Sequence, residues 1–164
     1  MVLARVAPGK TGKVTRMKIL LPIDDSKFSK AAVQAVIAQA HSKDTELRVL
    51  HVVEPPSLLV ARDMSGYDST LEAVWGEETK QAQVLVAKAA ETLRSHGIKV
   101  TTAVQQGEPK SLIIDASEEW HADLIVLGSH GRKALDRFLM GSVSEATARH
   151  ARCSVEIVRI PANR

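Results

Sequence analysis

Five short runs of leucine and β-branched side chains punctuate the chain: MKILLP at 17 to 22, LRVLHVV at 47 to 53, IKVTTAV at 98 to 104, DLIVLG at 123 to 128 and SVEIVRI at 154 to 160. Each predicts a strand. The first and fourth are almost unbroken apolar runs, which suits strands covered on both faces of a parallel sheet. IKVTTAV alternates, as a strand nearer an edge does. Between the runs the period changes to that of a helix. Ala32, Val33, Val36 and Ala40 form one stripe, Ala82, Leu85, Val86, Ala89 and Leu93 a second, and Leu112, Ile113, Ala116 and Trp120 a third. A last helix is expected from about Ser142 to Ala151. Gly97 stands where a helix C-cap glycine belongs, and Pro109 where a first-turn proline belongs.

Strand and helix therefore alternate, with connections long enough for right-handed crossovers between parallel strands. The pattern predicts a doubly wound α/β fold: five parallel strands in the order 3-2-1-4-5 with helices on both faces. The stretch EPPSLLVARDMSGYDST, residues 54 to 70, follows neither period and is expected to be a long loop.

Composition narrows the function classes. At 164 residues, 45% of them hydrophobic, the chain is expected to fold as one domain from residue 17 to residue 164. No apolar run is long enough to cross a bilayer, so no membrane partner is expected. The formal charge of +3 suggests nucleic acid until it is located. Four basic residues and no acidic one lie in the first sixteen, leaving 18 basic against 19 acidic residues and a net charge of −1. With only five aromatic residues besides, nucleic acid is not an expected partner. The leader MVLARVAPGKTGKVTR lacks the apolar core of a signal peptide; it is expected to be a disordered basic extension, with Met17 a possible start. One cysteine, Cys153, permits no internal disulfide and fits a reducing cytoplasm.

The chemistry gathers where strands one and four end. In an open parallel sheet, ligands bind outside the carboxyl ends of the strands where the winding reverses, which in this order lies between strands one and four. Those ends read PIDDS and GSHG. Gly128 and Gly131 allow a sharp turn and a close approach, and Gly141-Ser142 opens the last helix. Its N-terminus offers unpaired N–H groups that suit a phosphate. The Ser142 and Ser144 hydroxyls add donors there, and Arg132, Lys133 and Arg137 add positive charge. Asp24 faces the same crevice and can accept hydrogen bonds from ribose hydroxyls, while Asp25 and Ser26 are expected to cap the first helix. Together the two ends describe a nucleotide site.

The spacing G-x2-G-x9-G-[ST], met by Gly128, Gly131, Gly141 and Ser142, together with LLPID at 20 to 24 and LHVVE at 50 to 54, resembles the ATP-binding branch of the universal stress proteins. The resemblance spans Met17 to Pro161. It implies the adenine nucleotide alpha hydrolase-like fold, and a site in which Pro22 and Ile23 line the base pocket, Val52 contacts adenine through its backbone and Asp24 holds the ribose or adenine side. It further implies that Gly128, Gly131, Gly141, Ser142, Val143 and Ser144 enclose the phosphates of ATP, ADP or AMP, with Mg2+ bridging them. A homodimer through the last strand, Ser154 to Ile160, is also expected, since that strand is short, apolar and at the sheet edge.

Competing chemistries find little footing. The six histidines show no i, i+4 pair and no HExxH spacing, so no protein metal site is expected; His130 is read as shaping its loop. GxxxxGK[ST] is absent, as is GxGxxG after strand one. No Ser-His-Asp or Cys-His set stands out as catalytic. A nucleotide-binding regulatory module is therefore expected ahead of a slow ATP hydrolase or nucleotidyl-transfer enzyme, and ahead of an interaction protein that keeps the glycines only as architecture.

Overall fold

The computed structural model describes residues 16–39, 44–55, 67–131 and 140–160. Five parallel strands, β1 (Met17–Pro22), β2 (Thr45–Val53), β3 (Lys99–Gln106), β4 (Leu124–Gly128) and β5 (Ser154–Val158), alternate with helices α1 (Lys27–Gln39), α2 (Tyr67–Ser95), α3 (Pro109–Glu119) and α4 (Ser142–His150). They form one sheet in the order β3-β2-β1-β4-β5, as the pattern predicts. The register runs Leu20 beside Arg48 and Ile125, and Val52 beside Gln105.

Alternation along the central strands builds two cores. Ile19, Leu21, Ile23, Leu47, Val49 and Val126 meet α1 and α2 on one face. Leu20, Leu50, Val52, Ile125 and Leu127 meet Ile113 and Ala116 of α3, with Val143 of α4 packed alongside, on the other. The successive residues Leu20 and Leu21 are both wholly buried, which explains the unbroken apolar run: in a central strand neither face reaches water. Arg48 is accommodated among these residues because its guanidinium carbon lies 4.6 Å from the Trp120 ring centre, a cation–π contact.

The helix ends carry their expected signals. Gly97 takes φ 79°, and the N–H groups of Gly97 and Ile98 return to Arg94 and Leu93 to close α2. Pro109 opens α3 behind Glu108, whose carboxylate accepts from the Ser111 backbone N–H at 2.9 Å. Burial would push the Glu108 carboxyl up, but the backbone N–H groups of Ser111 and Lys110 and the Ser111 hydroxyl outweigh it and hold the group below its ordinary range.

The second helix departs from the sequence reading. It begins at Tyr67, inside the stretch expected to be loop, and its 29 residues extend well beyond the stripe that starts at Ala82. A helix of that length spans about 44 Å. The eight-residue β3 spans about 26 Å. Only the second half of α2 can lie on the sheet, and that half carries the buried Ala82, Val86, Ala90 and Leu93. The first half overhangs the carboxyl end of the sheet, with Val74 and Gly76 exposed. The leader over residues 1 to 15, the rest of the expected loop between 56 and 66, and Arg132, Lys133 and Arg137 lie outside the described residues.

Candidate functional site

The sheet's two central strands deliver their chains to opposite faces: β1 leads into α1, whereas β4 leads to α4. At this point of reversal lies an open cavity of about 220 Å³. Pro22, Ile23 and Asp24 leave β1 into its wall; Leu50, His51, Val52 and Glu54 come from the end of β2; Gly128, His130 and Gly131 follow β4; Gly141, Ser142, Val143 and Ser144 begin α4. Each expected site residue among the described ones is present. Arg132 lies outside them.

Asp24 is held by the start of α1. Its Oδ1 accepts from the Ser26 backbone N–H at 3.0 Å and from the Ser29 hydroxyl at 2.7 Å, while its own N–H donates to the Ser29 Oγ at 2.9 Å. Ser26 supplies the α1 cap, its Oγ accepting from the Ser29 N–H at 3.2 Å. Ser26 thus caps the helix as expected, and the Asp24 carboxylate, which lines the cavity, is tied into the same turn.

The three glycines answer to protein neighbours. A β-carbon on Gly128 would stand 2.6 Å from the Phe28 carbonyl carbon and 2.7 Å from its oxygen. On Gly131 it would meet the Asp24 Oδ2 at 2.9 Å, and on Gly141 the His130 Cα at 3.1 Å and the Ser129 oxygen at 3.2 Å. Among the described residues, positive φ is confined to Gly97, Gly107 and His121, so backbone conformation demands glycine at none of the three; space demands it at Gly128, against backbone, and only crowds a β-carbon at Gly131 and Gly141. The result is a loop folded onto the starts of both α1 and α4. Its closure is completed by the Gly141 N–H donating to the Ser129 oxygen at 2.8 Å and by the His130 ring lying 4.8 Å from that of Phe28.

The last helix begins at Ser142, as expected; Gly141 takes the cap position with φ −61° and ψ 145°, and no side chain caps the end. A serine at 141 would press its β-carbon on the 129–130 backbone, so close approach selects glycine and leaves the first-turn N–H groups to other partners. The Ser144 hydroxyl, expected to face a phosphate, instead donates to the Gly128 oxygen at 2.8 Å in a fully buried bond. It ties the end of β4 to α4. Ser144→Ala would leave that carbonyl short of a partner and is expected to cost about 2 kcal/mol. Thermal melts should show a Tm roughly 4–8 °C lower.

Sequence reasoning missed part of the wall. Leu50 was legible, because it shares a face with Val52 two residues on. Pro109 and Ile113 arrive from α3, which no local signal places at this crevice. His51 is only 8% exposed, and its Nδ1 lies 2.6 Å from the Ile23 oxygen. A histidine within an apolar strand gives no cue to that bond. At the other end of the sheet, burial pushes the Cys153 thiol up, the direction of an unreactive cysteine.

Known proteins share this architecture. The profile described as the universal stress protein family matches residues 15–159. A universal stress protein of Methanocaldococcus jannaschii is 33% identical over 152 residues, covering 93% of this chain and 87% of that one. The solved structure of universal stress protein UspA from Lactobacillus plantarum superposes with a TM-score of 0.77 at 25% identity, over 88% of this chain and 99% of that one. A family protein of Arabidopsis thaliana, solved with AMP bound, superposes with a TM-score of 0.62 at 17% identity, over 89% and 93% of the two chains.

Proposed function

Because the chain belongs to the universal stress protein family, we propose that it is a regulatory protein that holds an adenine nucleotide between the carboxyl ends of β1 and β4. The observation that carries this reading is that all the expected contact residues among the described ones line a single cavity at the sheet's reversal point. Leu50, Val52, Ile113 and Leu127 offer an apolar slot for the base, with the Val52 backbone at its edge. Asp24 receives the ribose. Gly131, Gly141 and the uncapped first turn of α4 receive the phosphates, to which the Ser142 hydroxyl adds a donor. The cavity is just below the span of about 300–1,000 Å³ usual for small-molecule sites. Part of the nucleotide therefore lies at the mouth, where the helix N-terminus waits. Mg2+ bound with the nucleotide would offset the charge of the phosphates. The AMP on the Arabidopsis protein supports an adenine ligand on this fold.

Binding of ATP biases the protein toward one conformation or assembly, which a partner reads. Nucleotide released by denaturing the purified protein and identified by mass is expected to be ATP, ADP or AMP. A protein that releases none, and takes up none from millimolar MgATP, refutes the reading.

The assembly is a homodimer through β5. That strand is an edge of the sheet, and its residues 155 to 158 are half-buried in the single chain. Ile157 itself packs into the α3–α4 core, so Ile157→Lys would perturb folding as well as association. Sedimentation of the unmodified protein is the cleaner test: a dimer is expected at micromolar concentration, and a monomer there refutes the assembly.

A further inference from the structure

The hydroxyl of Ser29 makes both of its bonds to one residue. Its Oγ accepts from the Asp24 backbone N–H at 2.9 Å and donates to the Asp24 Oδ1 at 2.7 Å. These bonds close a ring through Asp24, fixing its backbone and its carboxylate against each other. Ser29 is 6% exposed and stands in the cavity wall beside Asp24. Capping of α1 does not need this hydroxyl, because Ser26 is the cap and its Oγ accepts from the backbone N–H of residue 29 whatever side chain stands there. In a capping box the third helical residue turns its side chain back to the N–H of the cap. Here the Ser26 N–H is taken by the Asp24 Oδ1 at 3.0 Å, and the Ser29 hydroxyl reaches two residues further back.

Two donors therefore hold Oδ1 in the turn before α1, while Oδ2 lies toward Gly131 on the opposite wall of the cavity. An aspartate side chain has two rotatable bonds, and holding one oxygen settles where the other stands. We propose that Ser29 is a positioning residue for the nucleotide: it sets the Asp24 carboxylate in its receiving orientation before the ligand arrives. This rests on the reading of the cavity as a nucleotide site with Asp24 at the ribose. A carboxylate ordered in advance spares the ligand the cost of immobilising it, and that saving appears as affinity.

The test is a calorimetric titration of the full chain with MgATP and with adenosine, for the wild type, Ser29→Ala, Asp24→Asn and the double variant. Ser29→Ala is expected to weaken both ligands about three- to tenfold. In the Asp24→Asn background the same substitution should cost little, because the charged oxygen that Ser29 aims is gone; a residue acting through another shows this shortfall from additivity. Ser29→Thr keeps a hydroxyl on the β-carbon and should restore the affinity. Thermal melts without nucleotide read the folding of each variant separately from its binding. Ser29→Ala that binds ATP as the wild type does overturns the proposal and leaves the nucleotide reading standing. Losses that simply add in the double variant overturn it too, since the hydroxyl would then act independently of Asp24. No uptake of either ligand by the wild type refutes the nucleotide reading itself, and this inference with it.

Discussion

Gly128→Ala is expected to destabilise the protein by about 3 kcal/mol, with no nucleotide present. The added methyl group would lie 2.6–2.7 Å from the backbone and Cβ of Phe28, closer than atoms of that kind approach one another. Backbone in the first turn of a packed helix cannot step aside as a flexible side chain can. Relief requires α1 to shift off β4, which pulls at the buried contacts of Ala32, Val33 and Val36. A Tm drop of roughly 6–12 °C should follow, read by circular dichroism. Gly76→Ala is the internal control. It sits within α2 with nothing near its would-be β-carbon, so alanine should raise stability by about 0.5–1 kcal/mol. A Gly128→Ala protein as stable as the wild type would show that α1 is not seated on β4 as described.

The second large effect is on binding. Asp24→Asn is expected to weaken ATP and adenosine alike, by about ten- to hundredfold, because it removes a charged acceptor worth roughly 1.5–3 kcal/mol to a hydroxyl donor. Asparagine is the informative substitution here. Its carbonyl oxygen can keep the bonds from the Ser26 N–H and the Ser29 hydroxyl, so α1 stays anchored while the second oxygen becomes an amide nitrogen. Alanine would lose the anchor as well and confound binding with folding. Ser142→Ala should behave differently, weakening ATP about ten- to hundredfold while adenosine binding holds, because its hydroxyl serves only the phosphate end. Titration calorimetry of the two ligands against both variants decides the matter. If Asp24→Asn binds both as the wild type does, the carboxylate serves the protein turn alone.

The contrast between these two residues marks how far the candidate site was legible. Asp24, Ser142 and the glycine spacing stood out because short-range chemistry picks them: an acid leaving a strand, a serine opening a helix, glycines where a chain must turn. What the glycines are close to was not legible. Gly128 serves α1, Gly131 the Asp24 carboxylate and Gly141 the 129–130 backbone, and for the first two these neighbours come from the β1–α1 junction, about a hundred residues away. For the same reason Ser144 looked like a phosphate donor until its hydroxyl was found on the Gly128 oxygen. A hydroxyl in the first turn of a helix advertises its chemistry but not its partner.

For the fold the division is equally clear. Periodicity by itself determined five strands, four helices, the parallel winding and the central position of β1 and β4, because burial on one or both faces must be written into the residues of each element. The overhang of α2 escaped it, since the first half of the helix leaves the sheet and the apolar stripe that was read begins only at Ala82. Only the tertiary structure decided which residues share the cavity. It brought Pro109 and Ile113 across from α3 and turned His51 so that Nδ1 meets the Ile23 oxygen. Such contacts join segments tens of residues apart. They follow from how the helices seat on a twisted sheet, a property of the whole packing that no local run of residues encodes.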